Sequence, residues 1–167
     1  KGDDVTALKV INQGVSANKL DETGRPLFHR ASRLGRIKVL KAMLKQKLNV
    51  NTQDNIGFTA LMEAARNKQL EAMFLLLEHG ADPNKVAHES ALSLSAIHLA
   101  GIGGSLAVID LLNKYQANLN AQDRDGTTAM LWAIYEGNKL AAYPFYFGEG
   151  KDDWYYKKDR YGVRCIK

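Results

Sequence analysis

Four asparagines recur at a nearly fixed interval, and that interval restricts the chain to a row of like units. Asn18, Asn51, Asn84 and Asn120 end four similar phrases and lie 33, 33 and 36 residues apart. A second ladder, Gly35, Lys68, Gly104 and Gly137, steps by 33, 36 and 33. Both ladders put the same three extra residues in the third unit, between Val86 and Ser95. A unit of this size cannot bury its own apolar side; it is covered only by its neighbours in a stack.

Within each unit the pattern reads helix, turn, helix, turn. The first helix is short and carries small residues, as in Gly57-Phe58-Thr59-Ala60-Leu61-Met62-Glu63-Ala64-Ala65. The second has an apolar stripe at helical period: Ile37, Val39, Leu40, Met43 and Leu44, then Leu70, Met73, Phe74, Leu76 and Leu77, then Leu106, Val108, Ile109, Leu111 and Leu112. Asp54-Asn55-Ile56-Gly57 and Asp123-Arg124-Asp125-Gly126 are turn sequences. The helical phrase above, with Leu75-Leu76-Leu77-Glu78-His79-Gly80-Ala81-Asp82-Pro83-Asn84, resembles an ankyrin repeat, and the match runs from about Asp4 to about Leu140. The resemblance implies an all-α fold: an ankyrin-repeat solenoid of about four units, the first and last incomplete, over residues 1–140.

The departures carry expectations of their own. The first unit supplies only a second helix, roughly Asp4 to Gln13, and is expected to be the N-terminal cap. Lys47 and Gln116 stand where the family has glycine, so those turns are expected to be strained or differently shaped. The extra residues should enlarge the loop around His88 and Glu89. The fourth unit starts regularly and loses the pattern before Pro144, which would break a second helix. Residues 141–167 form an aromatic and basic extension. Alternation in Phe145 and Phe147, and in Trp154 and Tyr156, predicts a β-hairpin-like cap packed on the last repeat. The closing Arg164-Cys165-Ile166-Lys167 resembles the ending of a bacterial secreted domain family first seen in Fibrobacter, a likeness of about 25 residues.

Candidate chemistry is sparse. A lone Cys165 excludes an internal disulfide and any metal site needing two thiolates. The resemblance implies that His29 and His98, equivalent in two units, bond neighbouring loop backbone; His79 is expected to be exposed, and His88 has no evident partner. Gly101-Ile102-Gly103-Gly104 follows no strand, unlike a dinucleotide loop. The expectation is therefore no enzyme, no catalytic residue, no metal, no cofactor and no small-molecule substrate. Chemistry in the tail, at Asp152, Asp153 or Cys165, is the enzymatic alternative. The net charge of +5 mildly favours acidic partners, and the basic, aromatic tail leaves a nucleic-acid binder as a weaker reading.

The leading reading is a protein-interaction module: an adaptor, inhibitor or immunity-type protein. Its alternative is a non-catalytic targeting part of a larger bacterial enzyme or effector. The resemblance implies a concave face of first helices and loop tips. The partner-binding residues on it would be Arg30, Arg33, Phe58, Glu63, Arg66, Asn67, Leu99, Ile102, Arg124, Trp132, Tyr135 and Glu136. Trp132 packing beneath the C-terminal segment is the competing account of that residue. No run of about 18 apolar residues exists to span a membrane. The chain starts at Lys1, which implies an excised or processed start with any targeting segment out of view. The cytoplasm is the expected compartment, with a bacterial secreted or periplasmic site as the alternative.

Overall fold

The computed structural model describes residues 4–21, 24–46, 48–137, 155–157 and 164–166. Between residues 4 and 137 it is built of helices: α1 (Asp4–Asn12), α2 (Leu27–Arg33), α3 (Ile37–Leu44), α4 (Ala60–Arg66), α5 (Leu70–Glu78), α6 (Ala96–Gly103), α7 (Leu106–Lys114) and α8 (Ala129–Tyr135). The pairs α2/α3, α4/α5 and α6/α7 are the helical hairpins of successive units. The first helices α2, α4, α6 and α8 pack side by side in one layer; α1, α3, α5 and α7 form the other. Helix α1 packs on α3, the place a second helix would take.

Register explains the packing. Ala31, Ala64, Ala100 and Ala133 hold one position in the four first helices, and all are buried. A methyl there lets neighbouring helices approach closely. In the second layer Leu40, Met73 and Ile109 share one position and Met43, Leu76 and Leu112 another, all at most 3 % exposed. Each such side chain contributes about 1.5–3 kcal/mol by leaving water. At Gly101 the approach is closer still: a Cβ there would run into the backbone of Ala129 on α8.

Both sequence ladders now have physical causes. Gly35, Lys68, Gly104 and Gly137 turn the chain at the ends of the first helices with φ of 60, 56, 66 and 71°, the left-handed region where glycine is free and lysine is not. Two of the four asparagines, Asn51 and Asn84, stitch units together. Asn51 Nδ2 donates to Gly80 O at 3.1 Å, and its Oδ1 accepts from Asp82 N at 2.8 Å. Asn84 does the same one unit later, to Gln116 O at 3.1 Å and from Asn118 N at 2.7 Å. Gln116 takes φ of +61°, the strained turn expected of it, whereas Lys47 lies outside the described residues.

Each loop tip is pinched by one backbone bridge. Leu20 pairs with Pro26, Gln53 with Thr59, Gln122 with Thr128, and in the third unit Val86 with Ser95. The last pair encloses three more residues than the others, which locates the insertion. A 3₁₀ turn, Glu89–Ala91, fills it, followed by left-handed Leu92 and Ser93. His88, with no partner evident in the sequence, donates its backbone N–H to Ile56 O at 3.1 Å.

Beyond residue 137 the description is limited to two three-residue strands. Tyr155–Lys157 (β1) and Arg164–Ile166 (β2) run antiparallel, with Tyr155 opposite Ile166. The expected strand around Phe145 and Phe147, and the packing of the extension on the last repeat, lie outside the described residues.

Candidate functional site

The first-helix layer and its loop tips place equivalent residues in rows. Arg33, Arg66, Ile102 and Tyr135 form one row; Arg30, Glu63, Leu99 and Trp132 form the next. Arg30, Arg33, Arg66, Asn67, Arg124, Tyr135 and Glu136 are exposed, Tyr135 to 66 %, and Ile102 and Trp132 are half-buried.

Three expected contact residues are internal instead. Phe58 is 5 % exposed. The loop it was assigned to is folded back by Asp54, whose Oδ1 accepts from the N–H groups of Ile56 (3.0 Å) and Phe58 (2.9 Å). That turn draws the phenyl ring into the core. Leu99 is 3 % exposed because α6 is flanked on both sides, by α4 and α8. Glu63 is 1 % exposed, and its Oε1 accepts from Arg25 Nη1 at 3.3 Å. These three side chains lie behind the exposed face, Glu63 at the floor of a cleft.

A cleft of about 550 Å³ opens at the N-terminal end of the face, lined by Asp21, Arg25, His29, Arg30, Arg33, Asn55, Ile56 and Glu63. Arg25 spans its floor, with Nε 3.9 Å from Asp54 Oδ2 as well as the bond to Glu63. Arg30 Nη1 lies 4.0 Å from Asp21 Oδ2. Among the described residues, Glu63 Oε2 and Asp54 Oδ2 are buried without a hydrogen bond. Burial pushes the Glu63 carboxyl up, while Arg25, Arg33 and Arg66 pull it down less strongly.

The two equivalent histidines tie units together. His29 Nε2 lies 3.0 Å from Phe58 O and His98 Nε2 3.0 Å from Ala121 O, so each ring donates to the next loop. His98 Nδ1 also accepts from Ser95, from the backbone N–H at 3.1 Å and from Oγ at 2.8 Å. His29 Nδ1 has no partner among the described residues. The equivalent of Ser95 is Pro26, which has neither N–H nor hydroxyl. Burial lowers both histidine pKa values below 6.5, against the raising effect of their bonds to carbonyl groups.

At the other end, Trp132 Nε1 donates to Asp123 Oδ2 at 2.8 Å, and its ring meets Tyr135 edge-on at 6.5 Å. Asp123 Oδ1 closes its own loop, accepting from Asp125 N (2.9 Å) and Thr127 N (2.8 Å). Burial raises the Asp123 carboxyl, but the Thr127 N–H, the indole N–H and the Asp125 N–H together hold it below the usual range. Sequence reasoning missed this indole bond and the Arg25–Glu63 bond. The recurring aspartates were visible, but which partner their second oxygen meets depends on the neighbouring helix.

Among the described residues no three His, Cys, Asp or Glu side chains converge as a metal-binding group, and no helix is long and apolar enough to cross a membrane.

Comparison with known proteins agrees with this geometry. Residues 1–87 match the family described as ankyrin repeats (3 copies). The chain is similar to BCL-6 corepressor-like protein 1 of Homo sapiens, 37 % identical over 108 residues, covering 64 % of this chain and 6 % of that protein. It is also similar to neurogenic locus notch homolog protein 1 of Mus musculus, 33 % identical over 135 residues, covering 79 % of this chain and 5 % of that protein. A third relative is alpha-latrotoxin-Lg1a of Latrodectus geometricus, 25 % identical over 135 residues and covering 79 % of this chain and 10 % of that protein. The chain thus spans at most a tenth of these relatives. By the family match, the repeat register and the stacked helical pairs, the chain belongs to the ankyrin-repeat family.

Proposed function

We propose that this chain is a non-catalytic protein-binding module that holds its partner on the concave face, as an adaptor, inhibitor or immunity-type protein. Ankyrin repeats generally mediate protein–protein interactions. The observation that supports the finer reading is the composition of the first-helix face: exposed Arg33 and Arg66 at one end, Trp132 and exposed Tyr135 at the other. Arginine, tryptophan and tyrosine are the residue types that concentrate binding energy in interfaces. Affinity capture of a partner, followed by titration with the purified pair, tests this. Alanine at Arg33, Arg66, Trp132 and Tyr135 together should weaken binding at least about tenfold. Unchanged affinity would place the interface elsewhere.

The small share of each relative that the chain covers favours a second reading, a targeting part of a larger protein.

A further inference from the structure

The concave face changes character along its length. Arg33 and Arg66 occupy equivalent positions at the ends of α2 and α4, are exposed, and make no ion pair among the described residues. Of the two, Arg33 lines the cleft, whose other arginines are engaged: Arg25 with Glu63 and Asp54, Arg30 with Asp21. Farther along, the same row becomes Ile102 and Tyr135, beside Trp132. Two unpaired guanidinium groups therefore face the same side as an aromatic pair, which lies three first helices beyond Arg33 and two beyond Arg66.

Neighbouring helix axes lie about 8–10 Å apart, so α2 to α8 spans about 25–30 Å. An extended strand rises about 3.3 Å per residue and covers that in about eight or nine residues.

We propose that the partner presents an extended segment of about this length, with carboxylate side chains over Arg33 and Arg66 and an apolar or aromatic side chain on Trp132 and Tyr135. This rests on the concave-face reading above and adds the chemistry of the partner. The planar guanidinium fork matches a carboxylate in two-point hydrogen bonding. A phosphate dianion fits less well, because Asp21 and the buried Glu63 line the cleft beside Arg33 and repel a second charge. The uncharged far end of the row gives such a segment one orientation.

Fluorescence anisotropy with synthetic peptides of about nine residues is the test. Each carries two Glu near one end and Leu-Phe near the other, in both orders, with Gln-for-Glu counterparts. The better-ordered Glu peptide should bind about tenfold tighter than its Gln counterpart. Arg33→Gln with Arg66→Gln should abolish that preference while the helical circular-dichroism signal is kept. Equal binding of Glu and Gln peptides, both weakened by Trp132→Ala, overturns the acidic partner and leaves the concave-face reading standing. Binding by neither peptide at up to about 1 mM also overturns the proposal. The concave-face reading then stands or falls on its own four-residue scan.

Discussion

At the scale of single residues, His29 and His98 separate what a repeat imposes from what one position allows. Both rings are anchored to the next loop, yet only His98 has both nitrogens engaged, because Ser95 offers two donors where Pro26 offers none. Pro26→Ser should add about 1 kcal/mol of stability in urea unfolding, after the loss of proline rigidity. An unchanged or lower midpoint would show that the Nδ1 vacancy costs little. The pH response has a definite sign. Burial disfavours the charged rings in the folded state, so unfolded histidine binds protons more readily. Their contribution is intact above about pH 6.5 and is lost as pH falls from there through the lowered folded values. NMR should show both rings titrating below about 6.5. Glu63 acts oppositely: its raised carboxyl favours the fold as the solution acidifies, so ring titrations isolate the histidines better than a net stability curve. The histidine anchors were legible because they recur with the period. The missing donor at Pro26 could also have been read, three positions before His29, by aligning it with Ser95.

At the scale of helices and loops, the contacts between neighbours decide stability. Gly101 lies where α6 meets the backbone of α8, so Gly101→Ala should destabilise by about 1–3 kcal/mol despite alanine's better helix propensity. Chemical denaturation checks this, and a stabilised variant would mean that the helices separate freely. Asn84→Ala removes both bonds to the next turn and should cost about 1–2 kcal/mol by the same measurement. The enlarged loop is bonded on both flanks. His88 N donates to Ile56 O, and Gln53 Nε2 to Val86 O at 2.8 Å. On the other side Arg124 donates from its backbone N to Leu92 O (2.9 Å) and from Nη1 to Glu89 O (3.2 Å). Helix positions and the site of the insertion were legible from spacing alone. The burial of Phe58, Glu63 and Leu99 was not. Which side of a first helix is covered is set by its neighbours, and the family pattern assigns loop residues to the face without showing the turn that folds Phe58 inward.

At the scale of the whole molecule, the described helices form two layers in which each unit packs chiefly on its neighbours. The core is therefore a chain of interfaces, and one central defect acts on two of them. Leu76→Ala, fully buried on α5 between α3 and α7, should cost about 2–5 kcal/mol and broaden the unfolding transition. Calorimetry would show the broadening; a sharp transition at a lower midpoint would mean that the stack melts as one body. The bonds of the 86–95 loop add a consequence for mechanics. Between the second and third units the histidine anchor is absent, since Met62 stands in its place, and the loop bonds of His88 and Gln53 bridge that junction instead. Pulled apart from its two ends, the protein should yield first at its flanks, leaving the stretch around that loop as the last piece to give way under load.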